Sequence, residues 1–528
     1  MSMPAKSKAG QHQSTDNNSA ASLWLNCEHT AQRSRDGNSQ KRMRLMPALS
    51  SRRRLLQNTG TGMGTFALAS LLQSERLAAA VEHDHSSIHP RSPHAAPPAK
   101  AMILLVQTGA PSQMDLFDPK PELQKRDGRV HSEKVEAFQT GSESNRLMAS
   151  PYRFRRHGEC GMEFSEAVPH LASQADDICM VRSMHTENNN HPQGLRMVHT
   201  GKVFAGRPSL GSWICYGLGT ENQNLPAYAV LRSPTGYSNG GTALWDSGWL
   251  PAAFRGTEIQ SQGPPFINLH PSRELPEEAR RNTLSLLDKL NRDRQRLYPG
   301  DSRLQARIAN YELAARMQME AEELLDLRSE TLETLQMYGT DNDITRDYGT
   351  RCLMARRLVE AGVRFVQVLT PNTNGFMPWD QHSKLKGGID AIAAQVDRPS
   401  AALITDLKQR GLLDETIVMW SGEFGRLPVS QNKTGRDHNR HAFSVLLSGG
   451  GFRPGHVHGA TDELGYRAVE DRVSCSDLHA TLLHQLGLDH EALTYLHNGR
   501  EETLTDAVVS EAQTVKGLLR TSPMPSEG

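Results

Sequence analysis

Cysteine, aromatic residues, net charge and long apolar runs are all scarce in this chain. Six cysteines in 528 residues, widely spaced and with no CxxC, leave neither a thiolate metal cluster nor a dense disulfide framework, only room for one bridge. No run of eighteen apolar residues exists, so no helical membrane span is expected. Basic and acidic residues balance at 59 each, but residues 1–80 hold 11 basic against 4 acidic groups, leaving 48 against 55 in the remainder. A mildly acidic body argues against a nucleic-acid partner.

The basic start has a recognisable form. Arg52, Arg53 and Arg54 precede a weakly apolar, Gly/Thr-rich stretch and then Ala78, Ala79 and Ala80, the order of a twin-arginine export signal. Residues 1–80 are therefore set aside as a leader, with Met43 or Met46 as alternative true starts, and the protein is expected to be exported or periplasmic. Residues 81–99, rich in His, Ser and Pro, read as a flexible linker.

A single domain is expected from residue 100 to 528. Ala101–Gln107 is a continuous apolar run followed at once by turn residues, as in a buried parallel strand, and similar runs occupy 178–184, 228–231, 363–369, 416–420 and 443–447. Helical periods lie between several of them, notably 346–361 closed by Gly362 and 389–410 closed by Gly411. This alternation implies an α/β fold with a mostly parallel sheet covered by helices. Residues 272–340 break the alternation with a long charged helical pattern, read as an inserted helical hairpin that packs on the sheet edge, dimerises or forms a lid.

Ligands of open α/β sheets bind beyond the carboxyl ends of the strands, so the polar residues that follow each apolar run are the candidates. Ser112 and Asp115 follow the first run, Thr186, Asn190 and His191 the second, Asp380 and His382 the fourth, and Glu423, Arg426, Asp437 and His438 the fifth. Carboxylates and imidazoles gathered at one sheet edge are the donor set of a one- or two-metal hydrolytic site. Each has a plainer reading: Asp380 as a helix cap, Asp115 as a turn former, His438 as a loop residue bonded to backbone. Glu423 resists one, because an unpaired carboxylate directly after a buried strand is costly and needs Arg426 or a metal beside it.

The segments 109–123, 189–201, 207–219, 379–382, 412–428, 435–439 and 459–490 together resemble the bacterial "domain of unknown function 1501" family, which is grouped with the alkaline phosphatase and sulfatase superfamily. That resemblance implies an alkaline phosphatase-like sheet and a divalent metal site (Zn, Mn, Mg or Ca). It also implies hydrolysis of a sulfate or phosphate ester carried on a small molecule or polysaccharide. By position it implies Asp115, His191, Asp380, His382, Glu423 and His438 as metal ligands and Thr186 as nucleophile beside Asn190; from their places after the apolar runs, Asp437 is added as a ligand, Ser112 as the alternative nucleophile and Arg426 as a catalytic residue. Phe424 departs from the Asp-His pair that relatives carry there, and no C/S-x-P-x-R sequence is present, which excludes a formylglycine nucleophile. The rival reading is a non-catalytic periplasmic or surface binding protein that keeps the fold with a degenerate site; group transfer at the same metal is a third.

Overall fold

The computed structural model describes residues 87–262, 276–297, 324–371 and 377–520. The proposed leader and residues 298–323, which hold most of the second arm of the expected hairpin, lie outside them. The first arm is a single helix, Glu277–Leu297, whose Leu286, Leu290 and Leu297 are exposed.

All six apolar runs are strands of one sheet. Its members are β1 (Ala101–Val106), β2 (Ile178–His185), β3 (Tyr228–Leu231), β4 (Thr257–Ile259), β5 (Phe365–Leu369), β6 (Thr416–Ser421), β7 (Phe443–Ser448), β8 (His456–His458) and β9 (Val473–Ser474). The order is β8-β2-β7-β6-β1-β5-β3-β4, with β9 also pairing with β2. Every pairing is parallel except those of β7, which runs antiparallel to β2 and β6. Reversal of β7 matters for the site, because the segment entering it lies at the edge where the parallel strands end.

Both faces of the sheet are covered, which is why the strands read as unbroken apolar runs rather than as alternating ones. Ile103 and Leu105 of β1 face one core, shared with the helices Arg346–Glu360 and Leu385–Gln409; Met102, Leu104 and Val106 face another, shared with His191–Thr200, Leu210–Leu218 and Cys475–Gln485. The two helices expected from periodicity are present within a few residues of their predicted ends. The short strands β4, β8 and β9 carry too few apolar residues to have been picked out.

The linker needs correction over its described part. Residues 87–99 are fastened to the body: Thr220 N donates to the Ile88 carbonyl at 2.9 Å, Arg91 N to Leu218 at 2.9 Å and Ala99 N to Gln485 at 3.0 Å, and Ala99 is buried. A composition of His, Ser and Pro left this out of view because the contacts are made by backbone and by single side chains such as Arg91, which lies over the Tyr216 and Phe254 rings. Cys160, Cys179, Cys215, Cys352 and Cys475 are all free thiols.

Candidate metal centre

Four side chains from three separate stretches meet at the carboxyl edge of the sheet. His191 is the first residue of the helix His191–Thr200, Asp380 and His382 follow β5, and His438 stands before the reversed strand β7. One ligand atom from each lies within 4.8 Å of all the others. All three imidazoles direct Nε2 at Asp380 Oδ1, His382 at 2.9 Å, His191 at 3.2 Å and His438 at 3.3 Å, while His382 Nε2 and His438 Nε2 are 3.1 Å apart.

Each ring is held from behind through Nδ1. His438 Nδ1 donates to the Asn189 carbonyl at 2.6 Å and His382 Nδ1 to Gln431 Oε1 at 2.5 Å. The orientation of that amide is fixed by Gln431 Nε2, which donates to the Thr140 carbonyl at 2.8 Å. His191 Nδ1 donates to Glu423 Oε1 at 2.6 Å, and Glu423 also accepts the Gly109 N–H at 3.0 Å. Acceptors at Nδ1 place the proton there, so a neutral ring turns an Nε2 lone pair towards the others. Three ring nitrogens facing one carboxylate oxygen, to which Arg426 alone donates from the inner side, form a donor set that a cation accommodates. His191 Nε2 accordingly is buried and has no hydrogen-bond partner of proper geometry.

Burial opposes ionisation of Asp380, but the surrounding imidazoles, His191 foremost, and the Arg426 guanidinium outweigh it and hold the carboxyl well below the usual range. Burial likewise disfavours a charged His191, yet Asp380 and Glu423 together raise its pKa. His438, buried and facing Arg426, is pushed down to about 3 despite Asp380, so its ring is a neutral donor at ordinary pH.

Close backbone approach makes this convergence feasible. Gly109, at φ +107°, lies so near Trp379 and Asp380 that a Cβ would stand 2.7 Å from the Asp380 nitrogen. Gly194 faces Phe424, where a Cβ would lie 2.9 Å from the ring, so the helix carrying His191 can pack directly against it. Phe424 is fully buried and touches the site by its faces, 5.0 Å from the His191 ring and 4.7 Å from the His438 ring. It supplies no ligand but walls the centre against water.

The remaining candidates are placed elsewhere. Asp115 is not beside the imidazoles: it forms a fully buried two-point ion pair with Arg436, at 2.7 and 3.1 Å, and accepts the Ser112 hydroxyl at 2.5 Å. Eight residues separate it from the end of β1, enough to carry it into the core. Asp437 lies outside the cluster as well: Oδ2 accepts the N–H groups of Phe138 and Gln139 and Oδ1 that of His438. Glu423 stands one shell out, behind His191. Arg426 is wholly buried, bonded to Asp380 Oδ1 at 2.7 Å and to the carbonyls of Gly109, Ala110, Trp379 and Arg436, with no face left for a substrate. Asn190 caps the His191 helix in extended conformation without a side-chain cap bond. Thr186 is buried, with its hydroxyl beside the Cys475 thiol. Sequence reasoning missed Asn189 and Gln431. A backbone carbonyl leaves no residue-type signal, and Gln431 is 49 residues from the histidine it holds.

The protein family model described as "Protein of unknown function (DUF1501)" matches residues 99–519. The chain belongs to this family. The DUF1501 match spans all four clustered residues and both sheet-covering cores. No curated protein matches the chain. Among solved structures, it is similar to the lipoteichoic acid synthase LtaP from Listeria monocytogenes at 10% identity and TM-score 0.34, covering 80% of this chain and 79% of that one. The phosphonate monoester hydrolase SpPMH from Silicibacter pomeroyi matches at 10% identity and TM-score 0.33, covering 81% and 78%. The PsFucS1 sulfatase from Pseudoalteromonas sp. matches at 11% and 0.31, covering 74% and 68%. Among the described residues no helix is long and apolar enough to cross a membrane.

Proposed function

We propose that this DUF1501 protein is an exported, metal-dependent hydrolase of phosphate or sulfate esters, acting at His191, Asp380, His382 and His438. The observation that carries the reading is the set of three imidazoles, each held at Nδ1 by an acceptor, whose Nε2 atoms all face Asp380. Three nitrogens and one oxygen favour a borderline transition ion such as Zn or Mn over the oxygen-seeking Mg or Ca. Such an ion, when bound, would polarise the ester oxygen and lower the pKa of water.

The chain's own contribution is holding and screening. Glu423, Gln431 and the Asn189 carbonyl orient the three rings, Arg426 balances the Asp380 charge, and Phe424 keeps water from the inner side. The hydroxyls of Ser112 and Thr186 are engaged by Asp115 or turned to Cys475, so water rather than a side chain is the nucleophile in this reading. The new bond forms from the water oxygen to phosphorus or sulfur, the ester bond to the leaving oxygen breaks, and that oxygen takes up the proton.

The test is a panel of chromogenic phosphate and sulfate esters with protein loaded with Zn or Mn. Turnover that His438→Ala abolishes and Thr186→Ala leaves within about threefold supports the reading. Loss of activity in Thr186→Ala with metal content intact would return the nucleophile to that residue. Among the described residues no hydroxyl is bonded to the cluster, which also favours a second reading, a metal-bearing binding protein, and metal uptake with no ester cleaved selects it. For export, replacing Arg52 and Arg53 by Lys should retain the precursor in the cytoplasm; unchanged processed protein outside it rejects the twin-arginine route.

A further inference from the structure

An exposed segment of six residues, Glu136 to Gly141, is tied to the backs of two of the clustered histidines. It belongs to no helix or strand, and its residues lie at the surface. Phe138, 38% exposed, stacks on the His438 ring with centroids 4.8 Å apart and planes 16° from parallel. The adjacent amides, Phe138 N and Gln139 N, donate to Asp437 Oδ2 at 2.7 and 2.8 Å, and Asp437 is the neighbour of His438. The Thr140 carbonyl accepts from Gln431, the amide that holds His382 Nδ1. Asn432 N donates to the Gly141 carbonyl at 3.1 Å, while Asn432 Nδ2 reaches the His382 carbonyl at 3.2 Å. At its other end Glu136 N bonds the Tyr466 hydroxyl, and the Glu136 carboxylate pairs with Arg440 and His441.

A surface segment with no core of its own takes its order from such attachments. Here they converge on two rings that a metal would need fixed in direction, and groups that orient ligands from outside typically change metal affinity by about 10–100-fold. From this geometry we infer that segment 136–141 is a latch, with Phe138, Asp437 and Gln431 as positioning residues, whose closure presets His438 and His382 for the ion. The inference rests on the metal-centre reading above. Coupling between binding and closure is reciprocal: whatever factor closure adds to metal affinity, bound metal adds to closure.

The experiment titrates the leaderless full chain with Zn alone, by competition with a chromogenic chelator, and measures chymotrypsin cleavage after Phe138 and trypsin cleavage after Lys134. Zn is expected to slow both cleavages about tenfold. Phe138→Ala should weaken Zn binding about tenfold, chiefly by faster release, with stoichiometry unchanged, and Phe138→Trp should restore it. Asp437→Asn should act in the same direction; if that buried change unfolds the chain, surface Phe138→Ala still decides. Wild-type Zn binding with unaltered affinity in folded Phe138→Ala, or cleavage rates indifferent to Zn, overturns the latch and leaves the metal centre standing. No Zn uptake by the wild type removes both.

Discussion

Glu423→Gln isolates the charge behind His191 with little change of shape. The carboxylate is fully buried, accepts His191 Nδ1–H at 2.6 Å and the Gly109 N–H at 3.0 Å, and among the described residues has no Arg or Lys in contact, because Arg426 is spent on Asp380. A Gln with its oxygen in the place of Oε1 keeps both acceptor bonds, so the fold should survive. What it loses is the negative charge that makes the ring a stronger base towards an ion. Outer-shell changes of this kind cost about 10–100-fold in metal affinity, or about 1.4–2.7 kcal/mol. Glu423→Ala is the harsher comparison: it strands the Gly109 N–H and the His191 Nδ1–H in a buried place, at about 1–3 kcal/mol each, and should lower stability as well as affinity. Chelator competition for Zn, with a urea midpoint measured on the same metal-free samples, separates the two. Zn affinity in Glu423→Gln within about twofold of wild type would refute the role of Glu423, and a similar loss of stability in both variants would show that it only props the fold.

Two further expectations concern stability away from the ion. Asp115→Ala leaves the Arg436 guanidinium buried without its counter-charge, which should cost about 3–5 kcal/mol in urea unfolding of the metal-free protein; a loss below about 1 kcal/mol would mean that the pair is not sustained in solution. His199 and His479 are fully buried, and burial lowers each to about 4 from an ordinary 6.5. Between those values the unfolded chain binds protons that the native one refuses, so stability is complete above about pH 6.5 and falls as pH drops towards 4, by roughly 3 kcal/mol per histidine. His479→Gln should flatten the stability profile measured between pH 4 and 7, and an unchanged slope would remove this residue from the acid response.

Legibility from sequence followed the range of the interaction. Strands buried on both faces declare themselves as runs such as AMILLV, and helix ends at Gly362 and Gly411 are local events, so the sheet and its two long helices were readable. The stretches that meet in the cluster were readable as candidates, because each follows or precedes an apolar run. Which of their carboxylates turn inward was not. Asp115, Asp437 and Glu423 share a carboxylate and a position after or near a strand with Asp380, and differ chiefly in partners brought from afar. Arg436 lies 321 residues from Asp115, and Gly109 lies 314 residues from Glu423. Phe424 looked like the loss of a ligand for the same reason; its role as a wall depends on Gly194 of a helix more than two hundred residues earlier.

Those distant partners also bear on how many ions the centre would take. A second cation would need further oxygen or nitrogen donors next to the four already gathered. The carboxylates that could provide them are each committed: Asp115 to Arg436 and Ser112, Asp437 to three backbone amides, Glu423 to His191 and Gly109. On the inner side of Asp380 stands Arg426, a fixed positive charge bonded to the same Oδ1 that the imidazoles face, and beyond it four carbonyls complete its hydrogen bonds. A guanidinium in that position occupies the space and balances the charge that a second divalent ion would otherwise supply, and the fully buried Phe424 closes the remaining side with carbon. Among the described residues the uncommitted donors are therefore those of a single candidate site, and Phe424, which the sequence reads as a lost ligand, is one of the groups that close it.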